Sequence, residues 1–155
     1  MLRVSKLTDY ATVVLATMAR DPERVFTAAD LSEQTRLGRP TVSKLLKQFV
    51  RAGLLKSYRG AHGGYLLAEA PQDISATRII DLVEGPMAMT ECGLSDRHCE
   101  LEDVCAVGHH WQRINRAIRA ALEEISLADL AAPTTVPLQR FDLRRAVTGE
   151  PEINH

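Results

Sequence analysis

Residues 27–67 read TAADLSEQTRLGRPTVSKLLKQFVRAGLLKSYRGAHGGYLL, and most of the evidence for the fold class lies in this segment. Thr27 is a good N-cap residue, and Asp30 follows three positions later, which is an aspartate form of the capping box. These two residues predict a short helix that ends near Arg36. The dipeptide Leu37-Gly38 then predicts a tight turn before the next element.

A second helix is predicted from Pro40, a residue suited to the first helical turn, to Ala52, with Gly53 as the terminating residue. At 100° per residue its side chains separate into two faces. The apolar face comprises Val42, Leu45, Leu46, Phe49 and Val50. The opposite, polar face comprises Thr41, Lys44, Lys47, Gln48 and Arg51. We expect the apolar face to pack on the preceding helices.

Residues 54–58 and 65–67 predict two short strands, because a glycine-bearing loop separates them in the manner of a hairpin. Upstream, Thr8 is a plausible N-cap for a helix that runs to Arg20. The order is therefore helix, short helix, turn, amphipathic helix and hairpin. It predicts a mainly α fold, a winged helix-turn-helix with a two-stranded wing.

Downstream of the hairpin, Ser75 predicts the cap of a helix that ends at Gly85-Pro86, and Ser126 predicts a short turn through Leu130. Between them a helix of about 15 residues is predicted from an apolar stripe. The stripe comprises Trp111, Ile114, Ala117, Ile118, Ala121, Leu122 and Ile125. We interpret this long helix as a dimerisation helix, with an intramolecular brace as the alternative.

Four segments follow from these patterns. They are a winged helix-turn-helix domain at 1–85, a cysteine-rich loop at 86–110, the dimerisation helix with its short turn at 111–132, and a mobile tail at 133–155.

The length of 155 residues predicts one domain, and a net charge of −1 hides an asymmetry. Residues 1–70 carry five more cations than anions, and residues 71–155 carry six more anions than cations. A basic front half indicates a surface that faces a polyanion, although a chance distribution is the alternative. No run approaches the roughly 20 apolar residues of a membrane span, and the N-terminus does not resemble a signal peptide. We expect a cytoplasmic protein.

The polar helix face and the wing are the candidate DNA contacts, because the major groove admits one helix whose N-terminal residues meet the base edges. Near that end lie Arg39, Pro40, Thr41, Ser43 and Lys44. Further along, Lys47 and Arg51 suit phosphate contacts. In the wing, Arg59 and Gly60 suit phosphate or the minor groove. The alternative is a merely solvated helix face.

The three cysteines, Cys92, Cys99 and Cys105, lie in a charged, glycine-containing segment. An odd number argues against a set of structural disulfides, and buried structural cysteines prefer apolar surroundings. Thiolates are soft ligands for an iron–sulfur cluster, copper(I) or zinc. His98, His109 and His110 are local candidates for a fourth ligand.

Three features together resemble the IscR/NsrR family of winged-helix regulators over roughly residues 1–130. They are SKLTDYA at 5–11, SYRGAHGGYLL at 57–67, and spaced cysteines before a tryptophan-led helix. The opening residues look most like the branch that regulates SUF-type iron–sulfur assembly. This resemblance implies a homodimeric repressor or activator that binds an operator in double-stranded DNA. It also implies an iron–sulfur cluster whose occupancy changes operator binding.

The resemblance also implies roles for particular residues. The three cysteines match the family's cluster ligands, and Arg59 matches its wing arginine. Asp9 matches the acidic residue that, in nitric-oxide-sensing members, supplies the fourth ligand from the partner subunit. In the assembly regulators a histidine three residues after the third cysteine has that role, but here that position is Gly108, followed by His109 and His110. A 2Fe–2S cluster is expected, with 4Fe–4S as the alternative.

Pro40, Ser43 and Lys44 depart from the assembly regulator's helix, so its operator sequence does not transfer. Two rival functions stay open at this point. One is a winged-helix regulator that uses its cysteines for zinc or for thiol or nitric-oxide sensing. The other is an enzyme or electron carrier, which is disfavoured because the sequence has no GxGxxG, P-loop or nucleophile elbow.

Overall fold

The computed structural model describes residues 4–86 and 107–133. Its helices are α1 (Lys6–Ala19), α2 (Ala28–Thr35), α3 (Arg39–Arg51), α4 (Ala76–Glu84), α5 (Gly108–Glu123) and α6 (Leu127–Ala131). Two strands, β1 (Leu55–Tyr58) and β2 (Gly64–Leu67), and a 3₁₀ turn at Pro71–Asp73 lie between α3 and α4. The mainly helical fold with a two-stranded wing is confirmed.

The first helix begins earlier than the sequence predicted. Ser5, not Thr8, is the N-cap, because the Ser5 hydroxyl accepts a hydrogen bond from the Thr8 backbone N–H at 3.3 Å. Thr8 lies inside the first turn with only 1% of its surface exposed. Both residues are good caps by type, and in the structure the Thr8 hydroxyl instead donates to the Glu84 carboxylate.

The capping box predicted for α2 is confirmed. The Thr27 hydroxyl accepts from the Asp30 N–H at 3.1 Å, and the Asp30 carboxylate accepts from the Thr27 N–H at 2.9 Å. Hydrogen bonds from the Thr27 backbone N–H and from the Thr27 side chain to the carboxylate lower the pKa of Asp30. Ser126 and Asp129 form a second capping box at the start of α6. Both helices are short, so the satisfied N–H groups at their starts carry much of their local stability.

The wing is an antiparallel pair in which Leu55 lies opposite Leu67 and Tyr58 lies opposite Gly64. Phe26, which precedes α2, extends this sheet by exchanging two backbone hydrogen bonds of 2.8 Å with Tyr65. Phe26 is only 2% exposed, so the sheet is anchored in the core at this point.

One hydrophobic core joins the N-terminal helices, the wing and the C-terminal turn. Fully buried members are Ala11, Val14, Leu15, Leu31, Val42, Leu45, Leu46, Phe49, Leu54, Ile74 and Leu127. Leu127 comes from α6, which packs on α1. The backbone N–H of Leu127 donates to the Ile74 carbonyl at 2.7 Å. The short turn after α5 therefore belongs to the core of the winged-helix body.

None of the helices in the described ranges is both long and apolar enough to cross a membrane.

Candidate nucleic-acid interface and cysteine segment

Helix α3 separates a buried face from a cationic one, as its sequence predicted. Val42, Leu45, Leu46 and Phe49 are fully buried, and α3 packs on α2 and β1. On the other side Lys44, Lys47 and Arg51 are exposed. The helix contains no acidic residue to neutralise them. Burial of the apolar face therefore holds three cations outward on one rigid element.

The N-terminal end of α3 carries the candidate base-reading residues. Arg39 and Pro40 are exposed in the first turn, while Thr41 and Ser43 are half-buried beside the exposed Lys44. No acidic side chain lies in the first turn and no side chain caps it, so no side chain of that turn offsets the positive end of the helix dipole. Such an end attracts phosphate.

The turn before α3 has two features that the sequence analysis missed. Arg36 adopts the left-handed conformation, with φ of 58°, and the Ser32 hydroxyl donates to the Leu37 carbonyl at 2.6 Å. Together they fix the angle between α2 and α3. A glycine at position 36 would have marked this turn in the sequence, but an arginine there carries no such signal.

Gln48 is not part of the exposed polar face, contrary to its position on the helical wheel. It is half-buried, and its Nε2 donates to the Leu82 carbonyl at 2.8 Å. This hydrogen bond joins α3 to α4. Helical periodicity alone could not reveal it, because the neighbouring helix that uses Gln48 comes 34 residues later in the chain.

The wing presents Arg59 and Gly60 at its exposed end. Gly60 has a positive φ of 109°, and its carbonyl accepts from the Gly63 N–H at 3.0 Å. A Cβ on Gly63 would overlap the carbonyl oxygen of Tyr58, so glycine is required there. The backbone itself therefore fixes how Arg59 is presented.

The candidate metal ligands are only partly within the described residues. Cys92, Cys99, Cys105 and His98 lie outside them. His109 and His110 are exposed in the first turn of α5, and Asp9 is exposed in the first turn of α1. Within residues 4–86 and 107–133, no group of three or more His, Cys, Asp or Glu side chains comes together as a metal site.

Three thiolates and a histidine or carboxylate are chemically suited to an iron–sulfur cluster. Asp9 is one of the residues that line an open groove of about 940 Å³. This groove is largely apolar and is lined by α1, α4, α5 and α6, including Ile80, Leu122 and Leu130.

The end of α4, immediately before the cysteine segment, is tied to the start of α1. The Glu84 carboxylate accepts from the Ser5 backbone N–H at 3.0 Å and from the Thr8 hydroxyl. Hydrogen bonds from Ser5 and Thr8 lower the pKa of Glu84. This contact therefore joins the end of α4 to the first turn of α1, the turn that also contains Asp9.

Helix α5 leaves the cysteine segment and packs on α4 with its second half. Arg119 forms a bidentate ion pair with Asp81, at 3.1 and 2.7 Å. Nearer its start, Ile114 is 41% exposed, and Val107 just before it is 55% exposed. The helix therefore braces α4 intramolecularly, while part of its apolar surface stays open.

The winged-helix fold, the exposed cationic face of α3 and the exposed end of the wing define the class of protein as a winged-helix transcriptional regulator. Residues 4–133 match the Rrf2 family, described as an iron-dependent transcriptional regulator, and the chain belongs to that family. It is a DNA-binding regulator of the IscR/NsrR type and not an enzyme.

Three similar proteins illustrate the family. A putative helix-turn-helix transcriptional regulator of Azotobacter vinelandii, ORF2, is 34% identical over 79% of this chain and 75% of its own. The structure of CymR, the global cysteine regulator of B. subtilis, is 30% identical, with a TM-score of 0.67 over 84% of this chain and 97% of its own. IscR from T. potens is 28% identical, with a TM-score of 0.62 over 89% of this chain and 94% of its own.

Proposed function

We propose that this regulator is a homodimer that acts in the cytoplasm and whose operator binding is controlled by an iron–sulfur cluster. The genes it controls are those of SUF-type iron–sulfur assembly. The observation that carries the proposal is the order of parts along the chain. The helix-turn-helix, the wing and α4 come first, a segment with three cysteines follows, and α5 and α6 then return to pack on α4 and α1.

The DNA surface consists of the exposed side of α3 and the end of the wing. Lys47 and Arg51 neutralise phosphates, and Arg39, Ser43 and Lys44 lie at the end of the helix that enters the major groove. Arg59 contacts the minor groove or its phosphates. Electrostatic attraction supplies most of the affinity for any duplex, so we expect steep salt dependence.

Dimerisation uses the apolar surface that the single chain leaves open. Val107 and Ile114 are exposed near the start of α5, and an apolar groove lies beside its other end. A second copy covers both surfaces. Two reading helices must then meet half-sites about 34–36 Å apart.

The cluster ligands in this proposal are Cys92, Cys99 and Cys105, with Asp9, His109 or His110 as the fourth. When bound, the cluster would supply iron that reacts with oxidants or nitric oxide; a 2Fe–2S form is expected, with 4Fe–4S as the alternative. The chain's own part is mechanical. The contact of Glu84 with Ser5 and Thr8 joins the entry of the cysteine segment to α1, while the Arg119–Asp81 pair joins α5 to α4.

A cluster held by the three cysteines, between these two fixed ends, changes how the two winged-helix bodies of the dimer are spaced. The dimer then has two arrangements that differ in this spacing. The cluster shifts the equilibrium between them only as far as its affinities for the two arrangements differ.

The decisive experiment measures operator binding anaerobically, with holo and apo protein side by side and spectra recorded on the same samples. The probe is a duplex selected from a randomised library. Iron, acid-labile sulfide and visible absorption are expected, together with different affinities of the two forms. The control is a triple variant, Cys92→Ala, Cys99→Ala, Cys105→Ala. If it binds the operator with the same affinity as both holo and apo wild type, the proposal of cluster control is wrong.

A second candidate is a regulator that uses its cysteines for zinc, or for thiol or nitric-oxide sensing. The similarity to CymR favours it, because the solved structures of that regulator include an oxidized form from Staphylococcus aureus, which is 26% identical to this chain. A colourless protein that contains zinc, or a metal-free protein whose DNA binding responds to thiol oxidation, would support it instead.

A further inference from the structure

The last turn of α4 is attached to three other helices by hydrogen bonds. Asp81 contacts α5, the Leu82 carbonyl contacts α3, and Glu84 contacts α1. The proposed function uses the first and the third of these contacts. It does not use the second, in which Gln48 Nε2 donates to the Leu82 carbonyl at 2.8 Å. Pro86, two residues after Glu84, begins the cysteine segment, so this turn is the part of the folded body that leads into it.

The Leu82 carbonyl lacks the hydrogen bond that a longer helix would give it. In an α-helix a carbonyl accepts from the N–H four residues later, and for Leu82 that residue is Pro86, which has no N–H. The preceding carbonyl, of Asp81, accepts from the Gly85 N–H at 3.0 Å, and Gly85 then ends the helix with a φ of 87°. Gln48 of α3 therefore supplies the donor that the sequence of α4 does not provide.

This hydrogen bond makes α3 sensitive to the position of the end of α4. Helix α3 packs on α2 and β1, whereas α4 packs on α1 and α5. Apolar contacts are non-directional, but a hydrogen bond of 2.8 Å is lost when its two atoms move about 1 Å further apart. Gln48 and Leu82 are both half-buried, so water replaces a lost partner poorly. A shift of the last turn of α4 therefore either moves α3 with it or breaks this contact.

We infer that Gln48 is the positioning residue through which the end of α4 controls the placement of α3 on DNA. Its amide is engaged by the Leu82 carbonyl rather than presented to the duplex. Lys47 and Arg51 are exposed on the same helix, so a shift of α3 moves both cations relative to the phosphates. This inference rests on the proposed cluster control of operator binding, and it adds the step by which that control reaches α3.

The test compares the operator affinities of holo and apo protein for the full-length chain and its variants, on the selected duplex. Gln48→Met keeps the length of the side chain but removes its N–H donor, and Gln48→Lys restores a donor. Gln34→Met, at an exposed glutamine of α2, is the matched control. We expect holo and apo affinities to differ about tenfold in wild type, Gln48→Lys and Gln34→Met, and about twofold in Gln48→Met. Gln48→Lys adds a cation that raises the affinity of both forms, so the ratio is the measured quantity.

Amide hydrogen exchange supplies a readout that needs no DNA. Exchange over residues 44–52 should differ between holo and apo wild type and should be alike in holo and apo Gln48→Met. Circular dichroism checks that each variant is folded. Gln48→Glu, which has the shape of glutamine but no N–H donor, is a second variant with the same expected ratio and the same expected exchange.

The possible failures can be told apart. If holo and apo wild type bind the operator equally, cluster control is wrong and the role of Gln48 in it is wrong too. If wild type distinguishes the two forms and Gln48→Met and Gln48→Glu do so equally well, cluster control stands and the inference about Gln48 is wrong. A loss of affinity by the same factor in both forms would mean that Gln48 only stabilises the fold. A reduced ratio that Gln48→Lys does not restore would mean that packing, not the hydrogen bond, is responsible, which also contradicts the inference.

Discussion

Arg119 and Asp81 form a bidentate ion pair that joins α5 to α4, with nitrogen–oxygen distances of 3.1 and 2.7 Å. The two side chains are 42% and 27% exposed, so solvent screens much of their attraction. The pair lies between the DNA-binding body and the helix that follows the cysteine segment. We therefore expect the ion pair to orient α5 on α4 and to contribute little to the free energy of unfolding.

A double-mutant cycle over Arg119→Ala and Asp81→Ala should give a coupling of no more than about 1 kcal/mol in urea unfolding. Arg116→Ala, an exposed arginine on the same helix, is the matched control and should change stability little. The proposed function makes operator affinity depend on the cluster through the attachment of α5 to α4. Arg119→Ala should therefore reduce the difference in operator affinity between holo and apo protein, whereas Arg116→Ala should not.

The Glu84 contact predicts a pH effect on stability. Hydrogen bonds from Ser5 and Thr8 hold the pKa of Glu84 below its ordinary value of 4.5. A lowered carboxyl pKa contributes stability above the ordinary value, and that contribution is lost as pH falls through the lowered one. The stability gap between wild type and Glu84→Gln should therefore be constant from pH 6 to pH 8 and should shrink below about pH 4.5.

Chemical unfolding at several pH values checks this expectation. Glu33→Gln, an exposed glutamate on α2, is the control for a general change of charge. A gap for Glu84→Gln that stays the same down to pH 3 would show that the hydrogen bonds to Glu84 do not depend on its charge.

Gln48→Ala should destabilise the fold by about 1 kcal/mol, because the Leu82 carbonyl loses the donor at 2.8 Å. Since this side chain faces α4, the log–log salt slope of DNA binding should not change. Lys47→Ala, one residue earlier, should have the reverse effect. It should leave stability nearly unchanged and lower the salt slope by about one per protomer. Urea unfolding and salt titration on both variants separate the two roles.

Gly63→Ala should weaken operator binding while the helical core stays folded. The added Cβ meets the Tyr58 carbonyl, so the wing turn must shift and Arg59 moves with it. The control is Ala61→Ser at the same tip, where the side chain is exposed. Circular dichroism should show unchanged helix content in both variants, and only Gly63→Ala should lose affinity. Equal affinities would mean that the wing tolerates the shift.

Much of the architecture was predictable because it rests on local signals. The capping box at Thr27 and Asp30, the proline at position 40, and the hairpin glycines each act within a few residues. The outward position of Lys44, Lys47 and Arg51 follows from helical periodicity in the same way. The three cysteines lie outside the described residues, so the metal chemistry stays a prediction.

Tertiary structure decided the points where a distant residue takes part. Ser5 rather than Thr8 caps α1, because Thr8 is buried and its hydroxyl hydrogen-bonds Glu84, 76 residues away. Gln48 turns inward because Leu82 of α4 offers a carbonyl. Periodicity and capping describe a helix with its immediate neighbours in sequence. Which hydroxyl or amide is satisfied by another element depends on packing that brings distant backbone together, and only the folded chain contains that information.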